Sequence, residues 1–152
     1  MSRQTEITEQ FFVVTALLEK TGEEIFKRVG LTVKTYAILA HIRKGANTTS
    51  ELAKCMQGSL ASITQKTKVL EKNGFIKRVV KKEDKRFWYF SLTPKAGKVL
   101  KKVIPLFDKA VKNLYKSFTK KEQEQLLRIL TIIEKRLHIA IDTKHLAKIF
   151  NS

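Results

Sequence analysis

The sequence predicts a mostly α fold with one small antiparallel β hairpin, arranged as a winged helix-turn-helix flanked by long N- and C-terminal dimerisation helices. Three observations predict it. Two short amphipathic patterns separated by Gln57-Gly58 lie between Thr48 and Gly74. The apolar period then changes from 3.6 to 2 over residues 75–80 and 86–92, with the polar Lys81-Lys82-Glu83-Asp84-Lys85 between the two runs. On either side, apolar side chains recur at helical spacing over many turns.

Taken in order, residues 5–29 place Phe11, Phe12, Val14, Leu17, Leu18, Ile25, Phe26 and Val29 on one long helix, with Gly22 the place for a bend and Gly30 the stop. Thr32 caps a second helix through Val33, Tyr36, Leu39 and Ile42, ending at Lys44-Gly45. Thr48 and Glu51 have the spacing of a capping box, which opens a short helix carrying Leu52, Ala53 and Met56. Ser59 caps the next helix, with Ile63, Thr67 and Leu70 on one face and Asn73-Gly74 at its end. Two short helices joined by a tight turn form a helix-turn-helix, and the hairpin after them is the wing. Thr93-Pro94 then starts a helix to about residue 117, with Pro105 predicting a kink. Thr119 and Glu122 repeat the capping box ahead of Leu126, Ile129, Leu130, Ile133 and Leu137, and the tail after residue 140 either adds a short helix or frays. The expected division is residues 1–30 as an N-terminal dimerisation helix, 31–93 as the winged DNA-binding domain and 94–152 as C-terminal dimerisation helices.

The 31 Lys and Arg against 14 Asp and Glu give a net charge of +17, which favours a polyanionic partner. The charge is concentrated where a nucleic acid would meet it: Lys77, Arg78, Lys81, Lys82, Lys85 and Arg86 crowd the hairpin, and Lys95, Lys98, Lys101 and Lys102 follow. No apolar run approaches the roughly 20 residues of a membrane span, so no membrane partner is expected. The single Cys55 has no partner for an internal disulfide, and the N-terminus lacks the plan of a signal peptide, so a cytoplasmic location is expected.

Setting Ile63, Thr67 and Leu70 inward turns Ala61, Ser62, Gln65, Lys68 and Lys72 outward by the 100° helical step. Gln65 suits a bidentate contact to adenine, Ala61 a thymine methyl, and Ser62 a base or a phosphate, while Lys66 and Lys68 suit phosphates. In the hairpin, alternation puts Trp88, Phe90 and Leu92 on one face, expected to pack on the helices, and Phe87, Tyr89 and Ser91 on the other. The terminal helices have more apolar surface than a small winged domain covers, which predicts a homodimer presenting two reading helices to a palindromic operator; a monomeric helical subdomain packed on itself is the alternative.

The same residues resemble a known family. Leu31-Thr32 with Tyr36, Ile38 and Leu39, the Thr49–Met56 helix, Leu70 with Gly74-Phe75-Ile76, and above all Asp84-Lys85-Arg86 with Phe90, Leu92 and Thr93 resemble the entry, helix and wing patterns of the MarR family of winged helix-turn-helix transcriptional regulators. The resemblance covers nearly the whole chain. It departs at Lys66, where an apolar residue is more usual, and at Gln65, where arginine is common. It implies a homodimeric repressor of nearby genes, released from double-stranded DNA by a small molecule or an oxidant. It also implies that Asp84 orients Arg86 for entry into a minor groove. With the outward residues of the second helix and the charge of the hairpin, the expected DNA contacts are Ser59, Ala61, Ser62, Gln65, Lys66, Lys68, Lys81, Lys82, Asp84, Lys85 and Arg86. A ligand pocket, on the same grounds, is expected where Phe11, Phe12 and Tyr36 converge with the flank of the hairpin.

Other chemistry finds little support. Cys55 reads as a small buried core residue, displaced from where redox-sensing family members carry their cysteine. His138, Asp142 and His145 share helical spacing, but two histidines and one carboxylate make a poor metal set, and no cofactor motif is present. Catalytic motifs are lacking, so an enzyme is not expected. The competing classes are a winged protein-protein interaction module and a non-specific architectural DNA-binding protein, both distinguishable by salt-sensitive, sequence-specific duplex binding.

Overall fold

The computed structural model describes residues 1–80 and 88–142. Its elements are α1 (Arg3–Phe26), which runs into a 3-10 turn at Lys27–Val29, α2 (Val33–Arg43), α3 (Thr49–Met56), α4 (Leu60–Lys72), β1 (Ile76–Val80), β2 (Trp88–Leu92), α5 (Pro94–Leu114) and α6 (Lys120–Asp142). The mostly helical class with one antiparallel hairpin is as the sequence predicts. The chain divides into two compact units between Asp108 and Lys109.

Helix limits follow local chemistry. Thr32 Oγ1 accepts from the Thr35 amide at 3.1 Å and the Thr35 hydroxyl accepts from the Thr32 amide at 2.8 Å, a reciprocal cap. Glu51 accepts from the amides of Asn47 and Thr48 at 2.9 and 3.0 Å while Thr48 Oγ1 accepts from the Glu51 amide at 3.2 Å, which fixes where α3 begins. Gly30, at φ 73°, supplies the left-handed residue that ends the first helical segment. Gly22 lies buried inside α1, and its role is proximity: a Cβ there would sit 2.7 Å from Val33 Cγ2 at the start of α2. Nearby, the Glu23 carboxylate accepts from the Val33 amide at 2.9 Å, so α1 satisfies a free donor of α2.

The core of the first unit is built from one face of each element. Phe26, Ile38, Leu39, Leu52, Ile63, Leu70, Ile76 and Val103 are nearly inaccessible to water, each side chain contributing roughly 1.5–3 kcal/mol of burial. The buried Thr67 hydroxyl donates to the Thr64 carbonyl at 3.0 Å, so it stays satisfied. This core crosses both boundaries expected at residues 30 and 94, since Phe26 of α1 and Ala96, Leu100 and Val103 of α5 belong to it. Phe26, Tyr36 and Phe107 form an aromatic cluster, with the Phe26 and Tyr36 ring centroids 4.1 Å apart and Phe107 at 5.6 and 5.7 Å from them. Burial, together with the nearby Asp108 charge, pushes the Tyr36 phenol above its ordinary pKa.

In the second unit, Thr119 and Glu122 form the expected box: Glu122 Oε2 accepts from the Thr119 amide at 2.7 Å and Thr119 Oγ1 accepts from the Glu122 amide at 3.3 Å. The amphipathic α6 follows. The tail after Asp142, for which the sequence left a short helix or fraying open, lies outside the described residues.

Two expectations need correction. Cys55 is exposed, not buried. The buried side of the short α3 is centred on Leu52 and Ala53, and Cys55 lies roughly 100° around the helix from that centre. Trp88 is 62% exposed, although Phe90, two residues on and on the same face, is buried at 8%. Trp88 pairs with Val80 at the outer end of the ladder, while Phe90 pairs with Arg78 nearer the root; a strand rises about 3.3 Å per residue, so the two-residue step carries Trp88 beyond the helices.

Candidate nucleic-acid interface

The α3–α4 turn aims the reading helix. Gln57 takes a left-handed conformation at φ 50°, and the Gly58 amide donates to the Ala53 carbonyl at 3.0 Å, closing α3 before the chain reverses. Ser59 then caps α4, its Oγ accepting from the Ser62 amide at 3.2 Å. Ile63, Thr67 and Leu70 are buried, as the helical step predicts, which leaves Ala61, Gln65, Lys68 and Lys72 exposed and Ser62 and Lys66 half-buried. Ala61, Ser62, Gln65 and Lys68 thus share the outward side of one rigid helix, the placement that direct readout of base edges requires.

Within that face, Lys66 Nζ donates to the Ser62 hydroxyl and, at 3.4 Å, to the Ser62 carbonyl. The ammonium is therefore held one turn back along α4, against Ser62. Gln65, Lys66 and Val69 also line an open groove with Glu19, Glu23, Thr32, Lys34 and Thr35.

The hairpin is anchored at its root. β1 and β2 pair antiparallel from Ile76↔Leu92 to Val80↔Trp88, and the Phe90 amide donates to the Asn47 carbonyl at 2.7 Å, tying β2 to the loop before α3. Arg78 is engaged locally, with Nε 3.3 Å from Glu71 Oε2 and its guanidinium 6.0 Å from the Phe90 ring centroid. Lys77 is exposed. The wing residues Lys81, Lys82, Asp84, Lys85 and Arg86 lie outside the described residues.

The residues expected to form a ligand pocket do not gather within one chain. Tyr36 stacks on Phe26, whereas Phe12 stands fourteen residues earlier on the same helix and is 72% exposed, a separation of about 21 Å at 1.5 Å per residue. A separate open groove of about 400 Å³ is lined by Leu92, Gly97, Leu100, Ile104 and Pro105, with Arg43 and Lys101 also at its edge. His145 of the expected histidine set lies outside the described residues, and His138 Nε2 is 3.7 Å from Glu134. Among the described residues there is no group of three or more potential metal ligands, and no helix is long and apolar enough to cross a membrane.

Sequence reasoning placed Lys95 in the basic run after the hairpin and Thr93 at a helix start, but missed the contacts by which both tie that start to the end of α4. Thr93 was legible as a helix cap but not as a brace. Lys95 Nζ donates to the Asn73 carbonyl at 2.7 Å and lies 4.7 Å from the Phe75 ring centroid, contacts across the hairpin that no local spacing announces.

Comparison with known proteins agrees with this architecture. Residues 31–87 match the model of the MarR family. The uncharacterized HTH-type transcriptional regulator YwaE of Bacillus subtilis (strain 168) is 27% identical over 120 residues, which span 78% of this chain and 70% of that protein. A MarR/EmrR family transcriptional regulator from Acinetobacter sp. ADP1 superposes with a TM-score of 0.81 at 16% identity, covering 91% of this chain and 99% of the other. Sco3205, a MarR family transcriptional regulator from Streptomyces coelicolor whose structure was solved in complex with DNA, superposes with a TM-score of 0.79 at 24% identity, covering 90% and 93%.

Proposed function

We propose that this chain is a member of the MarR family, whose model its residues 31–87 match, and a cytoplasmic, sequence-specific double-stranded DNA-binding transcriptional regulator acting as a homodimer. The observation that carries the reading is α4: a capped helix that sets Ile63, Thr67 and Leu70 into the core and whose outward side offers Ala61, Ser62, Gln65 and Lys68 together. On this reading Gln65 and Ala61 meet base edges in a major groove, and Ser59, Ser62, Lys66 and Lys68 meet phosphates or bases. Lys81, Lys82 and Lys85 neutralise flanking phosphates, and Asp84 holds Arg86 for a minor groove.

Support for the dimer comes from unpartnered apolar side chains in each unit. Ile7, Phe12, Val14, Leu17 and Leu18 of α1 are exposed, as are Leu127, Leu130, Leu137 and Ile141 of α6; a second copy would cover them. Repression relieved by a small effector is the regulatory sense that fits the family. The Tyr36 cluster is the proposed effector end, and Phe11 and Phe12 belong on this reading to the dimer contact.

The test is selection of bound duplexes from a random pool with the purified chain. The reading expects an inverted repeat with half-sites about one helical turn apart. Binding without sequence preference would replace it with an architectural role, and absence of duplex binding with a protein-docking one.

A further inference from the structure

The first turns of α5 carry Lys95, Lys98, Lys101 and Lys102, all exposed, and no Asp or Glu occurs anywhere between Asp84 and Asp108. The 100° step places Lys95, Lys98 and Lys102 within about 60° of one another, with Lys101 on their flank. The opposite side of the same turns, Ala96, Leu100 and Val103, is buried. Such a row is unfavourable for the helix itself, because cations near an N-terminus oppose the helix dipole and one another. Lys95 is tied to Asn73 and Phe75 by its own contacts, but folding gives no reason for Lys98, Lys101 and Lys102, which points to a partner.

The position of the row says which partner. Lys95 is bonded to the Asn73 carbonyl at the C-cap of α4, so the row begins where the outward side of α4 ends in the exposed Lys68 and Lys72. Glu71, the carboxylate at this junction, is paired with Arg78. The positive surface of the reading helix thus continues onto α5 with its acidic neighbour already neutralised. Between Lys95 and Lys102 the row spans about 10 Å, the axial length of about three phosphates on one strand. Lysine ammoniums serve phosphates as point charges, without the bidentate fork that reads guanine.

We propose that this lysine face of α5 binds backbone phosphates of duplex flanking the half-site read by α4, enlarging the footprint without adding sequence information. The proposal rests on the reading of the chain as a sequence-specific regulator. Its test uses the full-length chain and the triple variant Lys98→Gln/Lys101→Gln/Lys102→Gln, which spares the bonded Lys95. Two duplexes share the selected core, and one is extended by a helical turn of unrelated sequence at each end. The wild type should show a log–log salt slope steeper by about 3–5 on the extended duplex, an extra loss of roughly 10–30-fold per doubling of salt. The variant should give the same slope on both duplexes and wild-type affinity for the core, and the corresponding Lys→Arg triple should restore the difference.

Equal slopes for wild type and variant on the extended duplex would overturn the proposal and leave the lysine face to an acidic protein. Equal weakening of the variant on both duplexes would also overturn it, by placing the lysines inside the core site. Should the wild type fail to prefer the selected core over a scrambled one, the functional reading itself falls; where that preference holds, only the α5 proposal is at stake.

Discussion

Thr93 Oγ1 donates to the Gly74 carbonyl at 2.7 Å, bracing the end of α4 against the beginning of α5. The same oxygen accepts from the Ala96 amide at 3.3 Å as the cap of α5, and the Thr93 amide donates to the Phe75 carbonyl at 3.0 Å. Gly74 is suited to its side of the bond by a left-handed φ of 72°.

Thr93→Val keeps the shape and removes the hydroxyl, so it should cost about 1–2 kcal/mol through the lost cap and the unpaired carbonyl. Chemical denaturation measures it. A change below about 0.3 kcal/mol would show that the brace contributes nothing.

Gly22→Ala should destabilise the chain even though alanine is the better helix former by about 1 kcal/mol. The added methyl meets Val33 Cγ2 at 2.7 Å, and a β-branched side chain has little freedom to turn away. A net loss of about 1–2 kcal/mol is expected, largely recovered in the double variant with Val33→Ala. A thermal midpoint raised by Gly22→Ala would contradict the close approach.

Gln65→Ala should relax preference at one base pair in each half-site, worth about 1–3 kcal/mol of discrimination, while binding to scrambled duplex is unchanged. Competition titrations with single-base operator variants read it out. Uniform weakening across all sequences would instead make Gln65 a backbone contact.

Arg86→Ala should weaken operator binding about 10- to 100-fold with the thermal midpoint and oligomeric state unchanged. The expectation stems from the Asp84-Lys85-Arg86 pattern in the sequence. Wild-type affinity in a gel-shift titration would remove Arg86 from the interface.

The start of α6 should weaken in acid. Hydrogen bonds from the Thr119 hydroxyl and amide hold the Glu122 carboxyl below its ordinary pKa. A carboxylate depressed in the folded state stabilises above its unfolded pKa, near 4.5, and the contribution disappears as pH falls through the lower folded value. The helical signal of wild type should therefore exceed that of Glu122→Ala at neutral pH and converge with it in strong acid. A gap independent of pH would assign the effect to helix propensity.

Much of the fold was legible because its limits are set by chemistry acting over three or four residues. Thr48 with Glu51, Thr119 with Glu122 and Ser59 each announce a helix start, and the inward set Ile63, Thr67 and Leu70 follows from the period alone. Cys55 and Trp88 were not legible, because exposure depends on what lies across from a residue. Neither which side of the short α3 meets the core nor the height of Trp88 on the ladder is written in the neighbouring residues. The Lys66–Ser62 contact lies between these cases: its i, i+4 spacing permits the bond, yet water or a phosphate competes for the same ammonium. The wide separation of Tyr36 from Phe12 arises because Phe26 takes the place beside Tyr36, a choice made by tertiary packing.

Trp88 is the one tryptophan in the chain, and it stands in water at the outer end of the hairpin. Its indole is consequently a built-in fluorophore whose emission originates from a single place. Excitation selective for tryptophan would follow the wing without any attached dye, and a duplex arriving there would announce itself as a change in intensity and wavelength.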